Sequence, residues 1–318
     1  ILIKELIKKG FFFKKIDYYQ YYLEQINPKI VITFNDNNDL FYKIDKNKTY
    51  SISVQNGSRS YHNDILAKFK LSKIKYQINK YFVFNQSFKS EISKYVSSDF
   101  EVLGSPLNNR FKIKSHNFQN TALYMSPFSY STYSEFKNDP KKFNKFYKKE
   151  INFIKEISKK LKKRGVKFFI LGKWRDKFNR PVEKAFYKLS GVKFLENYKG
   201  RKTFELASKF GILIGYSSST LTYEMLAREK KVIVLNRDYN HYPFTTKQFG
   251  YFSNLPKEGT FWLTSGDINK FMNIFNFLKK IKKNDWKNIM KKNKKYTCEY
   301  NYLNKKLKNH IQSILEIK

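Results

Sequence analysis

Short apolar runs alternate with longer stretches of helical spacing along almost the whole chain. In the first third, Lys29–Phe34, Tyr50–Val54, Lys80–Phe84 and Phe100–Leu103 have strand length, and each stops at a polar or glycine-bearing cluster. Asn85 opens a predicted helix over Phe88–Val96 as its N-cap. Further on, Thr121–Met125, Val166–Leu171, Val192–Leu195, Ile212–Ile214 and Val232–Leu235 repeat the strand pattern. A helix is expected over Pro140–Arg164, where Tyr147, Ile151, Ile154 and Ile157 recur at spacings of three and four, and Gly165 stands as its stop. Helices are also expected near Thr203–Lys209, from Thr220 through Arg228, and over the basic end, roughly Ile268–Lys318. Strands alternating with helices in this way predict βαβ units and parallel sheets.

The 318 residues suffice for two such domains. The polar stretch Arg110–Asn120 places the boundary, giving an N-terminal Rossmann-like domain over 1–117 and a C-terminal one over 118–318 that includes the basic helices. The chain opens on a helix-like, lysine-bearing stretch, Ile1–Lys15, without an initiator Met and with no signal-peptide pattern. An N-terminal domain lacking its first strand is the expectation.

Composition narrows the classes. A 41% apolar and 18% aromatic content fits a folded domain, and no run nears the ~18 apolar residues of a membrane span. Cys298 stands alone and the four histidines are scattered, so no metal site and no resident cofactor are expected, and a cytoplasmic protein is implied. The net charge of +38 points to a polyanion, yet only eight of the 64 basic residues are Arg. Lys, Asn, Ile, Phe and Tyr are all abundant, as AT-rich codons produce. Nucleic-acid readers favour Arg forks, so solvated lysine faces, or a peripheral contact with anionic lipid at the inner face of the membrane, are preferred to nucleic acid.

The sharpest local feature is Gly215-Tyr216-Ser217-Ser218-Ser219-Thr220 between a strand and a helix. Hydroxyls beside unpaired amides at a helix N-terminus favour bound phosphate. Glu224, five residues beyond Ser219, stands roughly 7.5 Å up the helix, placed to accept hydrogen bonds from a ribose. The plainer alternative makes Ser219 a helix cap and Glu224 a solvated residue.

The run Ile214–Ala227, followed by Lys231–Val234, resembles the donor-nucleotide motif of GT-B glycosyltransferases. The Gln55–Arg59 loop, Phe84-Asn85 and Gly104–Asn109 are similar to O-antigen and surface-carbohydrate biosynthesis proteins. The resemblance implies two Rossmann-like domains facing a cleft, with the serine loop on the donor phosphates and Glu224 on the ribose. It further implies that Lys173, or Arg175 in its place, faces the diphosphate and that Glu196 and Asn197 contact the base. One more surface lysine is the competing reading of Lys173.

Acceptor and proton chemistry fall to the first domain. Related transferases carry a His before the glycine of the second-strand loop, where this chain has Asn56, an amide that cannot titrate. Asp36, just past a strand end, is the replacement base, and His62 the second choice. An Asx turn for Asp36 and a surface position for His62 are the alternatives. Gln55, Asn56, Gly57 and Arg59 are expected to shape the cleft, opposite the aromatic segment Tyr124–Tyr133. The expected activity is metal-independent transfer of a sugar from a nucleotide-sugar to a glycan or lipid-linked glycan. A glycerol- or ribitol-phosphate transferase, a nucleotide-sugar epimerase, a catalytically dead scaffold and a nucleic-acid-binding protein are the alternatives.

Overall fold

The chain builds two parallel sheets flanked by helices. The computed structural model describes residues 14–46, 49–59, 65–113, 118–128, 134, 139, 141, 148–198, 200–236, 249–250 and 255–316. The first sheet has the order β1-β2-β3-β4, with β1 Ile30–Thr33, β2 Tyr50–Val54, β3 Tyr76–Val83 and β4 Val96–Val102. Residues 30 and 50, 52 and 80, and 76 and 96 are register partners. The longer helices that precede or connect these strands are α1 (Lys15–Ile26), α2 (Ile65–Ser72) and α3 (Gln86–Ile92). Asn85 caps α3, its side chain accepting from the Phe88 amide at 2.8 Å. That helix stops at Ile92, short of the expected Val96, which instead starts β4.

Alternation along β2 assigns the two faces of this sheet. Ile52 and Val54 pack with Phe82, Leu103 and Leu307. Ser53 turns the other way, and its Oγ lies 2.9 Å from the Tyr42 hydroxyl. Leu307 belongs to α10 (Lys305–Leu315), whose Ile311 and Ile314 cover the same face.

The second sheet runs β10-β9-β8-β5-β6-β7: β5 Phe118–Met125, β6 Lys167–Leu171, β7 Lys193–Leu195, β8 Phe210–Tyr216, β9 Val232–Leu235 and β10 Trp262–Leu263. All its pairings are parallel. Its helices are α4 (Lys149–Lys162), α5 (Asn179–Lys188), α6 (Arg201–Ser208), α7 (Thr220–Ala227), α8 (Ile268–Lys280) and α9 (Lys283–Lys292). Gly165 ends α4 as anticipated: its φ is +68°, and the Val166 amide returns to the Leu161 carbonyl at 3.0 Å. The central strands are apolar on both faces, as parallel strands between helix layers must be, and Leu123, Ile170, Leu213, Ile214 and Ile233 are almost fully buried.

Residues 1–106 with 304–318 form one unit and 107–303 the other. The terminal helix therefore belongs to the first unit, not to a second domain running to 318. Its apolar stripe finds cover on the Ile52–Phe82 face. α5, with Pro181 in its first turn where no intrahelical donor is lost, and the short β10 were not anticipated from the sequence.

Candidate functional site

In the second unit every strand runs the same way, so the loops after the strand ends share one edge. The chain builds from β5 out to β7 and then returns to lay β8 on the other side of β5. The boundary between β5 and β8 is thus a topological switch point, where open α/β sheets present a crevice. Ser126 follows β5 there, and the serine loop follows β8.

The loop turns tightly. The Ser217 amide donates to the Leu235 carbonyl at 2.9 Å, and the Ser219 amide to the Tyr216 carbonyl at 3.0 Å. Ser217 is buried, Ser218 exposed, and Ser219 and Thr220 half-buried. Ser219 occupies the N-cap of α7 with φ −95° and ψ 123°, but its hydroxyl makes no capping bond. Close approach of α7 to β8 depends on Gly215: a Cβ there would sit 2.3 Å from Thr222 Oγ1 and 2.6 Å from Met125 Cε. The first turn of α7, with its positive end, is held at the crevice by that contact.

Glu224 is 4% exposed, so it is not the solvated residue of the plainer reading. Residues 108–111 lie along the same helix. The Arg228 guanidinium donates to Asn108 Oδ1 at 2.6 Å and to the Asn108 and Phe111 carbonyls, each at 2.7 Å. The Asn108 amide meets the Glu224 carbonyl at 3.5 Å, and Tyr300 stacks under Arg228 at 4.6 Å. Burial lowers the Arg228 pKa, and Tyr300 and, to a smaller extent, Glu224 one turn away partly offset this.

Two buried carboxylates that sequence reading missed brace this edge. Glu183 on α5 is 0% exposed and accepts from the backbone amides of Lys173 and Trp174, at 2.9 Å each, and from the Ser126 hydroxyl. Burial pushes its pKa up, against those hydrogen bonds. Glu150, in the first turn of α4 where the helix dipole favours an anion, accepts from the Tyr216 hydroxyl at 2.8 Å and from that of Tyr124. Tyr216 ends β8 and Tyr124 is the penultimate residue of β5, so this cluster sits at the strand ends from which the serine loop departs. Neither glutamate carries a motif.

The remaining donor-side expectations fall on the β6 and β7 loops. Lys173 is exposed, its ammonium 5.3 Å from the Trp174 ring. Arg175 is exposed beside it. Asn197 bridges the two loops, donating to the Lys173 carbonyl at 3.1 Å and accepting from Thr203 Oγ1 at 2.7 Å. Glu196 faces α5 instead, with Arg180 at 3.4 Å and Lys184 at 3.6 Å.

In the first unit the expected catalytic residue has a different setting. Asp36 is 0% exposed. It accepts from two guanidinium nitrogens of Arg59, one of them Nε at 3.0 Å, from the Asn56 amide at 3.1 Å and from the Tyr81 hydroxyl at 3.2 Å. A carboxylate without solvent and engaged by a buried guanidinium does not fit the general-base role. Asp36 is the anchor of the 55–59 loop. Gln55 is likewise internal, donating to the Gly57 carbonyl and accepting from the Phe84 amide, both at 2.8 Å. Asn56 is exposed but tied to the Phe34 carbonyl at 2.7 Å and to Arg59 at 2.6 Å. Arg59, expected to shape the cleft, instead turns inward at 8% exposure. Gly57 is buried in this loop. His62 and residues 129–133 of the aromatic segment lie outside the described residues, and Tyr124 and Phe128 of that segment are buried. Among the described residues, no three His, Cys, Asp or Glu side chains converge as metal ligands, and no helix is long and apolar enough to cross a membrane.

Residues 52–315 match the profile of a family described as "putative O-antigen biosynthesis protein". The chain belongs to this family. No curated protein matches it in sequence. Solved structures similar to this O-antigen family member have the two-Rossmann-domain GT-B fold. The GtfA/B complex aligns with a TM-score of 0.51 and 12% identity over 96% of this chain. The chain spans 61% of that structure's length. A "putative UDP-N-acetylglucosamine 2-epimerase" from Listeria monocytogenes gives 0.54 at 14% identity, covering 95% of this chain and 79% of its own. The UDP-GlcNAc 2-epimerase from Neisseria meningitidis bound to UDP-GlcNAc gives 0.52 at 16%, covering 94% and 80%. Identities this low speak for the fold.

Proposed function

We propose that this O-antigen family protein is a glycosyltransferase that takes a sugar from a nucleotide-activated donor to a surface glycan or its lipid-linked precursor. The observation that carries the reading is the serine loop at the β5/β8 switch point, with Glu224 one turn beyond it on a helix whose positive end is aimed at the crevice. The donor diphosphate lies against Ser217–Thr220, and Glu224 takes the ribose. Helix amides and the exposed ammonium of Lys173 meet the charge that develops on the departing nucleotide, the part a metal ion plays elsewhere. Asn197 sets the height of the Lys173 backbone, while Glu196, paired with Arg180 and Lys184, is turned toward α5. With Asp36 committed to Arg59, His62 is the candidate for the acceptor proton, since imidazole titrates near neutrality. The lysine excess extends the reading to a peripheral contact with the anionic inner face of the membrane.

Similar structures bound to UDP-GlcNAc and to UDP support a nucleotide-sugar partner. The epimerases among them favour one second reading, inversion within a bound nucleotide-sugar. A thermal-shift panel of UDP, GDP, CDP, CMP and dTDP tests the donor site. One nucleotide at ~100 times its Kd should stabilise the wild type by about 2.7 kcal/mol and leave Glu224→Ala unmoved. Equal stabilisation by all polyanions in both proteins would end the reading. Product analysis with UDP-GlcNAc and an acceptor then separates transfer, which leaves the sugar on the acceptor, from epimerisation, which leaves it as a free or UDP-linked 2-epimer.

A further inference from the structure

The charge of this chain is not evenly spread. Basic residues outnumber acidic ones 64 to 26 overall, but residues 279–295 hold nine lysines against one acid, Asp285, and residues 159–167 hold six cations and no acid. The fold collects residues 159–167 and the turn at 279–283 on one edge of the second unit, while farther along Lys287 and Lys294 pair with Glu229 and Glu299. Helices between parallel strands run back toward the strand starts, so their C-terminal ends gather opposite the serine loop. α4 passes through Gly165 straight into β6. The carbonyl of Ile281, which caps α8, accepts from Lys231 Nζ at 2.9 Å, and Lys231 immediately precedes β9. α4 and α8 also touch, with the Phe153 and Phe271 rings 5.7 Å apart. β9, β8, β5 and β6 are successive neighbours, so Lys231 and Lys167 are three strand spacings apart, about 14 Å. Lysines in a last helical turn complement the helix dipole, but that accounts for one or two per helix and not for this density.

Apolar side chains stand among these charges. Phe277, in the last turns of α8, is 38% exposed. Leu189, at the end of α5 where β7 begins, is 59% exposed. We propose that this edge is a docking surface for an anionic phospholipid bilayer. The mixture decides the partner: phosphate headgroups satisfy lysine point charges, and the interfacial layer takes Phe277 and Leu189, for which a nucleic-acid backbone has no use. The serine loop lies at the far end of β8, whose seven residues span roughly 23 Å, so the donor edge is remote from the basic one. The assignment rests on the peripheral-contact part of the proposed function and is independent of the donor reading.

The test is co-sedimentation of the full chain with vesicles of phosphatidylcholine alone or with about one-third phosphatidylglycerol, at several salt concentrations. The edge variant carries Lys279→Gln, Lys280→Gln, Lys282→Gln and Lys283→Gln. Its control carries Lys15→Gln, Lys70→Gln, Lys73→Gln and Lys75→Gln in the first unit. All eight lysines are exposed, and unchanged thermal melts verify folding. At ~1 kcal/mol per lysine near an anionic surface, the edge variant should bind anionic vesicles at least about tenfold more weakly, while the control stays within about twofold. Loss of binding in the control, or its retention in the edge variant, overturns the surface assignment. A wild type indifferent to phosphatidylglycerol overturns the membrane contact altogether. Tighter binding to a DNA duplex than to vesicles, weakened by the edge variant, overturns the bilayer as occupant. None of these outcomes bears on nucleotide binding.

Discussion

Gly215→Ala is the substitution that most sharply tests the geometry beneath the serine loop. A Cβ at this position meets Thr222 Oγ1 at 2.3 Å and Met125 Cε at 2.6 Å. The methionine methyl is the far end of a flexible chain and yields. Thr222 does not, because its β-branch is stiff in a helix and it is 0% exposed on α7. Overpacking of this kind costs ~1–3 kcal/mol, while Gly→Ala returns about 0.4–1 kcal/mol through the unfolded chain. Net destabilisation of ~1–2 kcal/mol follows, a fall in Tm of roughly 2–8 °C for a unit of this size. Thr222→Ala supplies the cross-check. Thr222 Oγ1 is buried without a hydrogen-bond partner, so its removal sacrifices no bond and opens the space that the new methyl needs. The double variant should regain at least half of the loss, a coupling within the ~0.5–3 kcal/mol seen for touching residues. Denaturant unfolding of the four proteins measures the cycle. A Gly215→Ala cost under about 0.5 kcal/mol, or strict additivity with Thr222→Ala, would refute the close approach of α7 to β8.

Two further outcomes follow from the buried charges. Arg59→Met strands the Asp36 carboxylate and should destabilise the first unit by about 3–5 kcal/mol, with Asp36→Asn in the same chain recovering part of it; a loss below ~1 kcal/mol in chemical denaturation would mean that Asp36 is not anchored there. Glu183 has its pKa raised by burial, so the folded chain holds this proton more tightly than the unfolded chain does. The stability it contributes is full below the ordinary value of 4.5 and is lost as pH rises through the raised value. The Tm of the wild type relative to Glu183→Gln should therefore fall across that interval, and parallel Tm profiles would show that the carboxyl is not desolvated.

Much of the architecture was readable because buried parallel strands are apolar runs and their ends are polar. The runs at 50–54, 121–125, 166–171 and 232–235 became β2, β5, β6 and β9, with no bound shifted by more than three residues. Asn85 and Gly165 were legible through local chemistry, a side-chain cap and a left-handed turn. What failed was long-range. Leu307, Ile311 and Ile314 announce a helix with an apolar stripe, but nothing in their spacing says which sheet the stripe covers. Asp36 reads as a base because it follows a strand. Its partners Arg59 and Tyr81 arrive from neighbouring parts of the sheet and reverse the meaning of the position. Glu183 was invisible for a similar reason: two of its partners are backbone amides, which leave no trace in a sequence. The strand–loop–helix arrangement around the serine loop was legible because its three parts are contiguous along the chain.

The central claim is that this loop and Glu224 hold a nucleotide, and calorimetric titration of UDP into the wild type and Glu224→Ala addresses it most directly. The account predicts one site on the wild type and at least about tenfold weaker binding, ~1.4 kcal/mol, on a variant that melts as the wild type does. Equal affinity for both proteins, or binding that vanishes with moderate salt in both alike, would contradict it.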